Sequence, residues 1–89
     1  AVFACNFVNH LYARAKEISD SQGIPFEYFL PLIDETTQKI HELEPKLAQT
    51  GPAIRNDEKV LKLHESLLTD EEKLKIYKTL NESIKKMYH

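Results

Sequence analysis

Residues 50–57, with the sequence TGPAIRND, separate two stretches of helical periodicity and force the chain to turn. Gly51 and Pro52 constrain this turn in opposite ways, because glycine reaches positive φ easily and proline holds φ near about −65°. Arg55 and Asp57 then place opposite charges two residues apart, where the next helix begins. A simple link between helices does not need a threonine, this turn and a charged pair together, so we predict that the connector is a functional element.

Apolar residues recur every three or four positions on both sides of this connector, which is the period of a helix that buries one face. The pattern predicts no strand, and it predicts helices at residues 2–21, 25–47, 57–68 and 69–87. Pro31 cannot donate to a helical ladder and marks a second start or a kink, while Pro45 ends or bends the same segment. We therefore predict an all-α fold, a bundle of four or five helices.

Three helix ends carry recognisable signals. Gly23 is the expected C-terminal stop of the first helix. Asn56 or Asp57 is the expected N-cap of the third helix, whose inner face would include Leu67. Thr69 is expected to open the fourth helix as a capping box, in which its hydroxyl and a carboxylate three residues later each satisfy a free backbone donor.

The first predicted helix is apolar over much more than the usual stripe. Its broad face combines Ala4, Phe7, Val8, Leu11, Ala15 and Ile18, widened by Cys5 and Tyr12. One partner helix cannot cover such a face, so we expect a homodimer through helical faces. Cys5 has no cationic neighbour at helical spacing and is expected to be a small core residue.

Size and charge bound the remaining possibilities. The 89 residues predict one domain with a modest core, which a second copy or a neighbouring domain would supplement. The net charge of −2 argues against binding to nucleic acid or to an anionic membrane. No apolar run approaches the roughly 20 residues that cross a bilayer, and a single cysteine suits the cytoplasm. The chain starts without Met inside a helical pattern, so we expect a piece of a longer protein or a processed product.

Asn6, Asn9 and His10 form a narrow polar stripe on the first helix. Two amides and an imidazole on one face could orient a carbonyl or hydroxyl substrate, with His10 as acid or base. The same three residues could equally face solvent, or cross a helix interface as satisfied polar groups.

The region around the connector offers a second set of candidates. Arg55 could bind an anion beside a helix N-terminus, or could pair with Asp57, which could itself cap the third helix. His64 lies on an apolar stripe and is either a packed, hydrogen-bonded residue or a proton-transfer group. No histidine or cysteine has a partner at metal-ligand spacing, so we predict no metal site. With only two glycines, the chain cannot form a glycine-rich dinucleotide fingerprint.

The run AQTGPAIRND at residues 48–57, followed by His64, resembles the signature of a helical domain of unknown function. That domain follows an N-terminal Rossmann-like domain in uncharacterised bacterial proteins similar to NADP-dependent oxidoreductases of the pyrroline-5-carboxylate reductase and 6-phosphogluconate dehydrogenase type. Asn56 stands where the family usually has glycine, and asparagine tolerates the left-handed backbone that such a position needs. Shorter matches are FACNF at residues 3–7, LPLI at 30–33 and LKIY at 74–77.

The resemblance implies a 6-phosphogluconate dehydrogenase C-terminal-like dimerisation domain, spanning residues 1–89, that is not catalytically competent alone. NADP or NAD would bind the Rossmann-like domain of the parent protein, while this domain would form the dimer and close the substrate cleft. His10 or His64 would transfer a proton and Arg55 would contact an anion. The implied cleft residues are Asn6, His10, Thr50, Arg55, Asp57 and His64.

A non-enzymatic function is the alternative hypothesis. In that case the chain is a helical protein-interaction module whose grooves bind a partner helix. A glycine-rich strand–turn–helix region ahead of this chain in the parent gene would favour the oxidoreductase.

Overall fold

A computed structural model describes all 89 residues, as helices joined by turns and without a strand. The chain contains a π-helical segment Val2–Phe7, a 3-10 turn Phe26–Phe29, and the α-helices α1 Val8–Ser21, α2 Leu30–Glu42, α3 Pro45–Ala48, α4 Glu58–Leu67 and α5 Glu71–Tyr88. The prediction of an all-α fold with four or five helices is confirmed. The helices divide into two compact units, unit 1 (Ala1–Leu43) and unit 2 (Glu44–His89). The assignment of residues 1–89 to one domain stays a prediction.

The first helix of unit 1 changes type along its length. Val2–Phe7 is π-helical and α1 continues directly from it at Val8. A π-helix bonds residue i to i+5 rather than i+4, so the 3.6-residue period does not apply to its six residues. The prediction of one continuous α-helix over residues 2–21 is therefore wrong for this first segment, and nothing in the apolar spacing signals the change.

Gly23 ends α1, as predicted. Its backbone has φ +69°, its N–H donates to the carbonyl of Asp20 at 3.1 Å, and the N–H of Ile24 donates to the carbonyl of Ser19 at 2.9 Å. These two bonds define a Schellman motif, which satisfies carbonyls that the helix leaves free. No atom lies within 4 Å of the position that a Cβ would take, so the positive φ alone favours glycine here.

Prolines divide the second predicted segment into three elements. Pro25 precedes the 3-10 turn with an extended backbone, and Pro31 lies in the first turn of α2. The second start predicted at Pro31 is confirmed, because proline suits a first helical turn, where its missing N–H leaves no intrahelical bond unmade. The helix ends at Glu42, and Pro45 begins α3.

Unit 1 contains no buried apolar side chain. Its one buried residue is Ser19, which is 3% exposed. Phe7, Leu11 and Ile18, predicted for the apolar face of the first helix, are 50%, 38% and 40% exposed. Cys5 is exposed, so its prediction as a core residue is wrong. The broad apolar face is present, but this chain does not cover it.

The connector in unit 2 is a second Schellman turn. The N–H of Asp57 donates to the carbonyl of Pro52 at 2.9 Å, and the N–H of Asn56 donates to the carbonyl of Ala53 at 3.1 Å. Asn56 has φ +54°, which confirms the left-handed backbone expected there. Asp57 is also the N-cap of α4, because its Oδ1 accepts the N–H of Val60 at 3.3 Å. One residue therefore closes the turn and opens the helix.

The N-cap of α5 is Asp70, which corrects the prediction of Thr69. Asp70 Oδ1 accepts the N–H of Glu72 at 2.9 Å, and Oδ2 accepts from Lys73 Nζ at 3.0 Å. The helix begins at Glu71, so Thr69 lies one residue too early to reach the free donors of the first turn. The hydrogen bond from Lys73, followed by the backbone hydrogen bond from Glu72, lowers the pKa of Asp70 below its usual value.

The core of unit 2 is small and lies around α4. Leu61 is 2% exposed and Ala53 is 1% exposed, and they are the buried apolar residues of the whole chain. An ion pair between Glu58 and Lys85 joins α4 to α5. Leu67 is 68% exposed, so its prediction as part of the inner face of α4 is wrong. It is the last residue of that helix.

The C-terminal residues return to the start of unit 2. The Tyr88 hydroxyl donates to the carbonyl of Lys46 in α3, and His89 Nε2 donates to the carbonyl of Ile54 in the connector at 2.9 Å. These contacts tie the end of α5 to the connector.

The left-handed residue of the connector generates a stability prediction. Replacing Asn56 by alanine should lower the free energy of unfolding by about 1 kcal/mol, because a Cβ without a local hydrogen-bonding group disfavours φ +54°. Replacement by glycine should cost less than alanine does. Urea unfolding of both variants, with exposed Arg55→Ala as the matched control, measures this. Equal stability of the alanine and glycine variants would contradict it.

Candidate functional site

The predicted site residues fall into the two units. Asn6 and His10 belong to unit 1, at the π-helical segment and at α1. The other four belong to unit 2, in the connector and α4, and are Thr50, Arg55, Asp57 and His64.

The polar residues of the first helix are exposed. Neither Asn6 nor His10 takes part in a hydrogen bond or an ion pair with another side chain of this chain, and Asn9 is exposed as well. Asn6 lies in the π-helical segment and His10 in α1, so the helix changes its period between them. π-Helical turns recur at functional sites in proteins, but a role for these side chains stays a prediction.

Asp57 and Arg55 do not pair. The Asp57 carboxylate accepts a backbone N–H as the N-cap of α4, which accounts for an acidic residue at this position. Arg55 is exposed and forms no ion pair or hydrogen bond. Thr50 is exposed, and its carbonyl accepts from Gln49 Nε2 at 3.0 Å. Of the alternatives for Arg55, pairing with Asp57 is therefore not observed, and its guanidinium is available to an anion.

His64 is half-buried and hydrogen-bonded across two helices. Its Nδ1 lies 2.7 Å from the hydroxyl oxygen of Tyr77 in α5, and the two rings meet edge to face with centroids 5.8 Å apart. This geometry is that of the packed, hydrogen-bonded histidine, one of the two alternatives for His64. The second ring nitrogen, Nε2, has no hydrogen-bond partner in the chain. Seven residues of α4 place His64 about 10 Å from Asp57 along the helix axis. The connector and the imidazole are therefore close but not in contact.

Tyr77 and Asn81 are polar residues that sequence reasoning missed. Tyr77 fits the apolar period of the last helix, so the period alone assigns it to packing. Asn81 follows one turn later, and its Nδ2 is buried without a hydrogen-bond partner. Tyr77, Asn81 and Lys85 are spaced by four residues, and the first and last of them bond to α4. The signal available in the sequence was this row of polar residues on α5, which predicts contact with polar residues of a neighbouring helix.

Unit 1 contains an open apolar cleft of about 480 Å³. Side chains of α1, the 3-10 turn and α2 form its walls, and most of them are hydrocarbon or aromatic. The apolar side chains that line it include Ala15, Ile18, Ile24, Phe26, Phe29 and Ile33. Such walls bind mainly by apolar contact.

Metal and membrane signals are absent from all 89 residues. No group of three or more histidine, cysteine or acidic side chains is placed to hold a metal ion. None of the helices combines the length and the apolar character that crossing a bilayer requires.

The chain belongs to the family DUF2520, described as a domain of unknown function, whose model matches residues 1–84. It is similar to the crystal structure of a protein from Bacteroides fragilis named "putative NADP oxidoreductase", with 52% sequence identity and a TM-score of 0.92. The match covers 96% of this chain and 33% of that one, so the chain spans about a third of that protein's length. No curated protein matches. The resemblance seen in residues 48–57 is confirmed.

The buried amide of Asn81 generates a second stability prediction. Asn81→Leu should raise the free energy of unfolding of this chain by about 1 kcal/mol, because a buried donor without a partner costs about that much. Glu82→Leu, an exposed neighbour in the same helix, is the matched control and should change stability by less than about 0.5 kcal/mol. Chemical unfolding measures both. A loss of stability in Asn81→Leu alone would show that the amide is satisfied in solution.

Proposed function

We propose that this chain is the dimerisation and substrate-cleft domain of an NAD(P)-dependent oxidoreductase and is not catalytically competent alone. One observation carries the proposal. The chain is 52% identical, over 96% of its length, to a third of a protein named as an NADP oxidoreductase. At this identity and a TM-score of 0.92, the Bacteroides fragilis protein is a close relative of this domain.

In this proposal, the nucleotide binds outside these 89 residues. The chain has two glycines and no strand, so it lacks the strand–loop–helix that holds a dinucleotide pyrophosphate. NADP or NAD would bind an N-terminal Rossmann-like domain of the same parent protein. The nicotinamide supplies hydride chemistry when bound, and the helical domain binds and orients the substrate. The single cysteine favours a cytoplasmic location.

The candidate roles of the site residues rest on their chemistry. Arg55 offers an unpaired guanidinium for a carboxylate or phosphate group of the substrate. His64 and His10 are the candidates for proton transfer. Asn6 and Thr50 would form hydrogen bonds with the substrate. Asp57 would act mainly by holding the start of α4, because its carboxylate is already engaged there.

The uncovered face of unit 1 supports the dimer. Folded domains of this size bury a set of apolar side chains, and unit 1 buries none. Patches of exposed apolar side chains on this scale mark interaction sites. A second copy that packs against the first helix would cover Phe3 and Phe7, which are 83% and 50% exposed and form an edge-to-face pair with centroids 5.0 Å apart.

The alternative is a non-enzymatic module that binds a partner helix. The apolar cleft of about 480 Å³ favours it, since an amphipathic helix can insert its anchors into such a groove. The two functions differ in whether the parent protein binds a nicotinamide nucleotide.

Nucleotide binding by the parent protein tests the oxidoreductase proposal. Titration with NADPH, followed by calorimetry or nicotinamide fluorescence, should give saturable binding. Arg55→Ala in the same protein should leave the NADPH affinity unchanged, because the nucleotide occupies another domain. Absence of saturable binding by folded protein would reject the oxidoreductase, and a loss of affinity in Arg55→Ala would locate the nucleotide at this chain.

A charge on the first helix tests the dimer. Phe7→Glu should weaken dimerisation at least about tenfold, because a buried unpaired carboxylate costs well over 1.4 kcal/mol. Leu63→Glu in α4 is the matched control, since Leu63 is 56% exposed and Phe7 is 50% exposed. Light scattering at micromolar concentration should show a dimer for the wild type and for this control. A monomeric wild type, or equal weakening by both changes, would exclude the proposed interface.

A further inference from the structure

The first helix carries side chains of different size at its two ends. Its exposed rings lie at the start, where Phe3 is 83% and Phe7 is 50% exposed. The part that borders the apolar cleft lies toward the end and includes Ala15, Ile18 and Ser19. Large exposed side chains therefore occupy one end of the helix, and an open cleft borders the other end.

Leu11 lies halfway between these two ends. It follows Phe7 by four residues and precedes Ala15 by four, which is about 6 Å in each direction along the axis. Residues four apart share one face of a helix, and Leu11 is 38% exposed. A second copy that runs antiparallel about a twofold axis at Leu11 brings Phe7 of each copy beside Ala15 of the other. The same rotation brings Phe3 beside Ile18.

The charges of the first helix favour this direction. Residues 1–13 contain no aspartate, glutamate, lysine or arginine. All the charged residues of the helix follow, and they pair within it, Arg14 with Glu17 and Lys16 with Asp20, at 2.8 Å each. An antiparallel copy sets this charged half against the partner's uncharged half. A parallel copy would set each charge against its own counterpart, and like charges repel.

The cleft has room for two phenylalanine rings. A cavity of about 150 Å³ holds one benzene molecule, and the cleft measures about 480 Å³. Its walls include Phe26 and Phe29, whose ring centroids are 6.1 Å apart. Further rings that enter the cleft can therefore form the offset or edge-to-face contacts that aromatic pairs prefer.

The exposed area is also on the scale that a dimer needs. At about 200 Å² for a whole phenylalanine side chain, the exposed parts of Phe3 and Phe7 offer about 270 Å² per copy, which is a third of the roughly 800 Å² per partner that a stable interface buries. Val2 and Leu32, which are 52% and 58% exposed, and the walls of the cleft extend this area.

We propose that Phe3 and Phe7 of a second copy of this chain fill the apolar cleft of unit 1, and that the two copies exchange these rings across an antiparallel pair of first helices. This inference rests on the proposed function, which includes the dimer, and it names the segment that holds the dimer together. Unit 1 buries no apolar side chain of its own, and the rings of the partner copy supply the missing core.

An exchange of side-chain size tests the contact between Phe7 and Ala15. Ala15 is exposed, so Ala15→Phe leaves space for the ring in the single chain but occupies the place of the partner's ring. This change should weaken dimerisation of the parent protein at least about tenfold, and Phe7→Ala should do the same by removing the ring. The double variant restores a large–small pair in exchanged positions and should recover most of the affinity.

Ala13→Phe is the matched control for this exchange. Ala13 is also exposed, and it lies about 200° around α1 from Ala15, so its substitution should leave dimerisation unchanged. Sedimentation equilibrium measures the dimer dissociation constant of each variant, and circular dichroism checks that each is folded.

Cysteine cross-linking tests the direction of the helices and does not require Ala15→Phe to fold. In a Cys5→Ser background, Ala4→Cys and Ile18→Cys are introduced into separate proteins. Rotation about Leu11 brings residue 4 beside residue 18 and leaves two copies of residue 4 about 20 Å apart. The mixed proteins should form a disulfide-linked pair under mild oxidation, and each protein alone should not.

Two results would overturn the inference while the dimer stands. Unchanged dimerisation in folded Ala15→Phe would place the partner's ring elsewhere, and a cross-link between two Ala4→Cys copies would show that the helices run parallel. A monomeric parent protein would reject the dimer itself together with this inference. NADPH binding remains the separate test of the oxidoreductase, because none of these measurements needs the nucleotide.

Discussion

Unit 2 depends on one residue that serves two neighbouring elements. The backbone N–H of Asp57 closes the Schellman turn of the connector, and its carboxylate caps α4. The direction of α4 follows from this double role, and α4 carries both Leu61, the largest buried side chain, and His64. Asn56 must adopt a left-handed backbone for the turn to close. Its side chain has no partner, but its backbone conformation affects where α4 begins and therefore where the His64 imidazole lies.

Unit 1 has the opposite character, because its helices form without a core of their own. Helix ends there are satisfied locally, by the Schellman bonds at Gly23 and by proline in the first turn of α2. The apolar side chains remain largely uncovered, and local bonds cannot offset the cost of exposing them. The proposed dimer and the alternative partner helix would both cover these apolar side chains. Helix packing therefore does not distinguish the two functions, whereas nucleotide binding does.

The candidate chemistry gathers in unit 2, where polar groups line the contact between α4 and α5. His64 and Tyr77 are bonded, Glu58 and Lys85 are paired, and the buried amide of Asn81 lies between the two on the α5 stripe. Polar groups at a contact between helices lower the stability of the fold unless they form hydrogen bonds. His64 Nε2 and Asn81 Nδ2 have no partners within the chain, and Arg55 is exposed nearby in the sequence. These features make unit 2 the better supported of the two candidate regions.

Much of the fold follows from the sequence, because the signals for helix ends are local. Gly23, Asn56 and Asp57 act through hydrogen bonds to residues within five positions, and Pro31 acts through its missing N–H, so their roles could be predicted, as could the family from residues 48–57. The sequence places the cap of α5 one residue too early, because Thr69 and Asp70 are both capable caps and the start of the helix selects between them. The exposure of Cys5 and Leu67, the bond from His64 to Tyr77, and the isolated amide of Asn81 depend on which helix faces pack together. Those pairings join residues far apart in sequence, and only the tertiary structure decides them.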